Sequence, residues 1–407
     1  MEIDRETDVT GAKEPILTGY SLLLTPEITV GVLITSCQCH IVHRYMNDAE
    51  SSGVTECVVS LPLGAAPTCA TIVKVLNTDT SADSDVSYRV LVGLCVPEML
   101  VVTVTVSQGV EEEDRTVTHH ESKVMIPHPV TSLSRGLAGP PFQPPAEVVE
   151  GEEGEGESEE GEEKEAPPLP PPVPTPAIVL VGTRGGLVYR CYMPVDKTSD
   201  VSVQPHEEVA KGQGSAVITA IDSAAKDAGV WGGTAIGSVT ENGIYKDQVP
   251  GMVNALTVVP LSSLLASAPS TQREKDRRGE VALVACEREV VLTVSGGKKR
   301  EVEREVVWVG EVIRAIHKPL CQGEEGRHRG VVYVGAGSAL YTIDVHALLS
   351  PVQASESMEV DGMEAAEQDR LTAVRVTSLP CPIVHIGEGG ALCENGLFFP
   401  LNRDIGE

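Results

Sequence analysis

Short apolar runs separated by small or polar residues organise this chain. Ile178–Gly182 is an apolar run closing on glycine. Thr183–Gly186 is a polar turn, and Leu187–Met193 is a second run with β-branched and aromatic residues. The pattern predicts a β-hairpin. It returns at Gly335 (VVYVG, then Leu340-Tyr341), at Gly387 (IVHIG, then Ala391-Leu392) and at Gly93 (RVLVG, then Leu100–Val102). Ala285 (VALVA), Gly237 (GTAIG, then Ile244-Tyr245) and Thr35 (GVLIT) anchor looser copies. With the low-complexity stretch 139–176 set aside, the anchors follow one another at intervals of about 50 residues, the period of a repeat architecture. A small residue at each anchor fits a place where another backbone passes closely.

A further apolar segment precedes each hairpin: Ile16–Leu24, Ala70–Leu76, Val130–Leu133, Ala216–Ile221, Met252–Val259, Val312–Ile316 and Leu371–Val376. Fourth strands have candidates at Val306–Val309 and Lys123–Ile126. Each unit then holds four antiparallel strands, a to d. One unit cannot bury both its faces, so neighbours must stack around an axis.

The strand pattern φφVG-x-x-x-G-φφY resembles blades of the WD-repeat-like β-propeller class, without the Gly-His and Trp-Asp dipeptides of the WD repeat proper. The resemblance implies an all-β fold: a single propeller over residues 1–407, with seven four-stranded blades. It also implies a non-enzymatic role as a scaffold or adaptor, in which other proteins bind a rim or face built from loops. Two alternatives stand beside it. One is a structural subunit of a trafficking or ciliary assembly. The other is a propeller enzyme with a central-channel site. Residues 1–15 are read as a loose tail. Ile16–Leu24 is also expected to pair beside Leu397–Pro400, closing the ring and removing an exposed edge.

Composition changes this picture in three ways. Hydrophobic residues make up 41% of the chain but aromatic residues only 3%, so Val, Ile, Leu and Ala must fill the core. The ten cysteines accompany a charged N-terminus with no secretory pattern and no apolar run long enough for a membrane span. A reducing, cytoplasmic setting is expected. The net charge is −28, from 59 acidic and 31 basic residues. That disfavours nucleic acid and anionic membrane as partners and leaves other proteins.

Residues 139–176 break the repeat. From Glu147 to Glu165 there are eleven glutamates and one lysine, followed by the proline tract APPLPPPVPTP. Such a segment cannot bury enough apolar surface to offset chain entropy. Its place between strands a and b of the third unit marks it as an insertion within blade three, with the propeller continuous around it. Its P-x-x-P spacings fit a polyproline spacer or a docking tract. Alternating strands send a–b and c–d loops to one face. The insert should share that face with three basic clusters, at 272–278, 298–304 and 327–329. The residues singled out for an interaction face are Arg184, Lys298, Lys299, Arg300, Arg327 and Arg329. A second acidic loop, Gln353–Arg370, is read as a d–a connection leaving on the opposite face.

Motifs for chemistry are sparse. Cys37-x-Cys39-His40-x-x-His43 has zinc-ligand residue types, but a strand would place His40 opposite Cys37 and Cys39, and no second Cys pair completes the set. His119 and His120 read as part of a solvated c–d loop. Gly335-Ala-Gly337-Ser338 and Gly387-Glu-Gly389-Gly390 read as b–c turns, because no helix follows to bind phosphate. No catalytic residue, cofactor or metal is assigned.

Overall fold

In a computed structural model the chain is described over residues 14–25, 28–45, 54–75, 85–107, 116–134, 177–194, 201–206, 216–224, 228–260, 279–295, 305–317, 331–345, 373–387 and 390–399. Apolar strands with tight turns pair with their sequence neighbours, and each sheet follows chain order. Blade one is β1 (Thr18–Leu23), β2 (Ile28–Ile34), β3 (Gln38–Tyr45) and β4 (Val54–Pro62). Blade two is β5 (Pro67–Val75), β6 (Val86–Leu94), β7 (Glu98–Ser107) and β8 (Thr116–Met125). Blade three is β9 (Val130–Leu133), β10 (Ala177–Thr183), β11 (Val188–Met193) and β12 (Ser202–Pro205). Blade four is β13 (Ile218–Ser223), β14 (Val230–Thr234), β15 (Ser238–Glu241) and β16 (Ile244–Gln248). Blade five is β17 (Val253–Pro260), β18 (Glu280–Cys286), β19 (Glu289–Ser295) and β20 (Glu305–Trp308). Blade six is β21 (Ile313–His317), β22 (Val331–Ala336), β23 (Ala339–Asp344) and β24 (Val374–Ser378). A last sheet, here blade seven, has three strands: β25 (Ile383–Gly387), β26 (Gly390–Cys393) and β27 (Phe398–Phe399).

Seven four-stranded blades are therefore corrected to six, with a three-stranded seventh sheet among the described residues. The first strand of every sheet packs on the first strands of both neighbours, so these strands form a closed inner ring, β1 lying between β25 and β5.

One apolar core fills each boundary between blades. Val30, Ile41 and Val90 lie between blades one and two, and Leu91, Val101 and Val181 between two and three. Leu180 meets Ile218 and Ile221 between three and four. Val281, Leu283 and Val334 fill the fifth boundary. Ile16, Leu33, Val42 and Leu392 form the thinner core between blades seven and one. Burying a side chain of this size contributes about 1.5–3 kcal/mol, and the branched aliphatics carry most of it, as the scarcity of aromatics requires.

The anchor glycines make room for the next blade. A Cβ at Gly93 would lie 2.7 Å from Val130 Cγ1, and one at Gly182 would lie 2.7 Å from Ile218 Cγ2. At Gly335 the contact is Ile383 Cγ2, at 2.8 Å. In each case a b strand receives the first buried residue of the following inner strand.

Just beyond that residue, six inner strands carry a β-bulge. Four bulge side chains turn back to clasp the next blade. Thr68 Oγ1 donates to the Val130 carbonyl at 2.7 Å, and Thr131 Oγ1 to that of Ile218 at 2.5 Å. Thr219 Oγ1 donates to Val253 at 2.7 Å, and Asn254 Nδ2 to Ile313 at 3.0 Å. Thr219→Val keeps the shape and deletes one clasp. Urea unfolding should show it less stable by about 1 kcal/mol.

Closure differs from the sequence expectation. Among the described residues, Ile16–Leu24 does not pair beside Leu397–Phe399. β1 pairs with β2, and β27 with β26. The ring closes by face packing and by Ile16 N–H donating to the Glu394 carbonyl at 2.8 Å. That bond repeats Ile313 to Glu287 and Ile383 to Gly337 at the two preceding boundaries.

Other corrections follow from strand framing. In blade four the b strand is Val230–Thr234, and Gly237 is a turn glycine at φ 83°. Ile244 and Tyr245 belong to strand d, not strand c. In blade seven IVHIG is the inner strand β25 rather than strand b. The segment read as its strand a, Leu371–Val376, contributes to β24, the outer strand of blade six. Gln353–Arg370 lies outside the described residues, in the c–d connection of blade six rather than a d–a connection. Gly387–Gly390 likewise joins strands a and b, whereas Gly337-Ser338 is a b–c turn as read. His119 and His120 sit within strand β8, exposed on an outer edge, and not in a loop. β9 and β10 are paired neighbours, and residues 135–176 between them lie outside the described residues.

Candidate interaction face

Strand alternation gives the ring two ends. One carries the b–c turns and the d–a connections, which are short except for 206–217 between blades three and four. Ile126–Pro129, Val249–Met252, Val309–Val312 and Leu379–Pro382 are four-residue d–a connections, each starting with a buried apolar residue that pins it to the core. At the other end, most a–b and c–d connections fall outside the described residues.

Among the described residues, the short-loop end holds most of the large exposed apolar side chains. Leu17, Val96, Met125, Ile236, Met252 and Val312 are all exposed there. Met252 and Val312 each adjoin a buried strand residue, Val253 and Ile313, and Leu17 adjoins the buried Ile16 just ahead of β1. Two consecutive apolar residues at a strand start cannot both face the core. That signal is present in the sequence.

Charged residues stand among them. Lys123 Nζ lies 2.8 Å from Glu98 Oε1, and Arg314 Nη1 lies 3.6 Å from Glu394 Oε2. Ser36 Oγ donates to Glu14 Oε2 at 2.5 Å, and this bond holds the Glu14 carboxyl below the usual carboxylate range. Glu287 and Arg288 are exposed on the β18–β19 turn. Glu287 adopts φ 46°, a region costly to residues with a Cβ.

Of the sequence-selected basic residues, Arg184 alone lies within the described residues. Arg184 is exposed on the β10–β11 turn, where its N–H donates to the Pro129 carbonyl at 2.9 Å. Lys298, Lys299, Arg300, Arg327 and Arg329 lie outside the described residues, in connections between the opposite strand ends. The acidic insert, the proline tract and the cluster 272–278 also lie outside the described residues.

The Cys/His run of β3 is held apart by its strand. Cys37 is exposed in the preceding turn, Cys39 is buried, and His40 Nδ1 meets Ser60 Oγ at 3.0 Å. His43 is buried with Nε2 2.5 Å from the Tyr88 hydroxyl and Nδ1 3.0 Å from that of Tyr45. Both of its ring nitrogens are thus engaged within the protein. Among the described residues no group of three His, Cys, Asp or Glu is placed to hold a metal ion.

Thiol chemistry follows depth. Burial pushes the Cys39, Cys69 and Cys191 thiols up to about 12, whereas Cys37 and Cys95 are exposed. A thiolate-selective reagent should label Cys37 and Cys95 in the native protein and reach Cys39, Cys69 and Cys191 only after unfolding, as peptide mapping would show.

No protein-family model matches the chain, and no curated protein is significantly similar in sequence. Solved structures are similar in fold. Sqt1 from Chaetomium thermophilum is 9% identical with a TM-score of 0.50, the match covering 94% of this chain and 78% of that one. The same protein bound to the N-terminus of the ribosomal protein L10 is 11% identical with a TM-score of 0.47, covering 93% and 80%. BBS1N in complex with ARL6DN is 11% identical with a TM-score of 0.47, covering 96% and 93%. The chain is a β-propeller, the fold its strand pattern implied.

Proposed function

We propose that this propeller is a non-enzymatic platform for protein–protein interaction, and that it uses the end carrying the b–c turns and d–a connections. The observation that carries the reading is the gathering of Leu17, Val96, Met125, Ile236, Met252 and Val312 at that end. Apolar residues clustered on a face with polar neighbours are the usual mark of an interaction site. Short connections pinned to the core hold them on a rigid scaffold, which lowers the ordering cost of binding. Two of the similar structures are complexes with other proteins, BBS1N with ARL6DN and Sqt1 with the N-terminus of L10. The acidic stretch Glu147–Glu165 is part of the proposal as a regulatory or docking arm joined to blade three. A cytoplasmic setting belongs to the proposal as well.

The test is capture of binding proteins by the full chain and two variants. Ile236→Asp with Met252→Asp alters the proposed face. Tyr245→Ser alters the exposed outer strand of blade four. The proposal expects partners to be lost from the first and kept by the second. Partners that survive the face substitutions and are lost with Tyr245 would overturn it.

A further inference from the structure

We infer that the arc of this face over blades five, six, seven and one docks a partner segment that combines apolar side chains with lysine or arginine. The inference rests on the interaction-platform reading and adds the chemistry of the partner.

The first support is a break in the repeat. Bulge side chains of blades two to five clasp the next blade through Thr68, Thr131, Thr219 and Asn254. The Ile313, Ile383 and Ile16 hydrogen bonds set the equivalent positions in blades six, seven and one as Arg314, Val384 and Leu17. Val384 joins the apolar cluster of Ile16 and Leu392, replacing a polar clasp with packing. Arg314 and Leu17 are exposed. Two side chains that elsewhere lock the ring are here turned to solvent.

The second support is apolar exposure along the same arc. Leu17 is 54% exposed, Met252 49% and Val312 48%. Met252 follows Gly251, where a Cβ would lie 2.9 Å from Glu287 Oε1, so an apolar side chain and a carboxylate are neighbours. Val312 follows Glu311, whose carboxylate lies over Gly337.

The third support is charge. Glu14, Glu287, Glu311 and Glu394 stand on the arc with Arg288 and Arg314. Arg314 is engaged by Glu394. Glu287 and Glu311 have no ion pair among the described residues. A chain of net charge −28 also draws a cationic segment toward it over distance. Apolar side chains would cover Leu17, Met252 and Val312, and cations would meet Glu287 and Glu311. Charge complementarity therefore selects a basic apolar segment over an acidic one.

The probe is a short labelled peptide of alternating leucine and lysine, with a leucine–glutamate counterpart, titrated against the full chain by fluorescence anisotropy at physiological salt. The lysine peptide should bind and the glutamate peptide should not. Leu17→Ser with Val312→Ser, and separately Glu287→Gln with Glu311→Gln, should each weaken binding by about tenfold or more. Val96→Ser, on the same face over blade two, should leave it unchanged, as should deletion of Glu147–Glu165. The glutamine pair preserves shape, so it reports on charge even where the serine pair disturbs folding. Equal binding of both peptides, or lysine-peptide binding that depends on the acidic stretch and on neither pair, overturns the inference. If captured proteins still depend on Ile236 and Met252 in that case, the platform reading stands without it. If they do not, both fall.

Discussion

Gly93→Val lowers stability by about 3 kcal/mol, the upper part of the range for overpacking a closed core. The site explains the size of the effect. Even a Cβ would lie 2.6 Å from Cys69 Sγ and 2.7 Å from Val130 Cγ1, on the start of the next inner strand. Val130 is fully buried and its carbonyl accepts the Thr68 clasp, so it cannot retreat without breaking the boundary between blades two and three. Gly64 is the control, because a Cβ there meets nothing within 4 Å. Gly64→Ala should leave the urea midpoint unchanged. A Gly93→Val protein with wild-type stability would mean that blades two and three do not pack in this register.

Stability falls as pH drops from about 6.5 to about 4, and His43 is responsible for part of the loss. Burial lowers its pKa to about 4 in the folded protein, between the Tyr45 and Tyr88 hydroxyls, while an unfolded histidine titrates near 6.5. Between these values the unfolded chain binds a proton that the folded chain refuses. The His43 contribution is therefore complete above pH ~6.5 and is lost as pH falls toward ~4. At about 1.4 kcal/mol per pH unit, the loss is on the order of 3 kcal/mol. Burial also lowers His385 to about 4, with the same sign. His43→Gln keeps a polar side chain between the tyrosines and does not titrate. Urea unfolding across this pH range should give the variant a shallower dependence by roughly that amount, with all carboxylates common to both proteins. Parallel curves for the two proteins would show that His43 protonates freely in the native state.

The hairpins and their period were legible because strands b and c are the most apolar of each blade and the anchor glycine is repeated. The structure adds the reason, since Gly93 and Gly182 receive Val130 and Ile218 of the next blade. Framing failed where that logic was not local. Gly237 resembled an anchor, yet the residue facing the next inner strand is Gly233, against Val253. IVHIG reads like a b strand, and only its packing on β1 and β21 makes it the inner strand of its sheet. β8 carries His119, His120 and Glu121 because an outer strand is exposed, and polarity alone suggested a loop. The bulge clasps were unreadable as contacts, since Thr131 and Ile218 lie 87 positions apart. Two of them follow a visible signal nonetheless: at Thr131 and Asn254 a four-residue connection with an apolar start leads to a buried valine, and the polar residue comes next. Of the residues selected for the interaction face, Arg184 alone is described, on the short-loop end. The apolar residues there are single side chains spread over several turns and connections, and no local pattern in the sequence groups them.

The most direct test of the closed ring cuts the chain where β9 leads to β10. A site-specific protease sequence inserted within 151–157, between these paired strands, allows a single cleavage. The first fragment then carries blades one and two and β9, and the second carries everything from β10. They share blade three and the boundary where Ile16 meets Glu394 and Leu392. The nicked protein should elute from a sizing column as one particle of unchanged radius and come apart only in denaturant. Two separately folded fragments would contradict the ring and, with it, the face on which the proposed interactions depend.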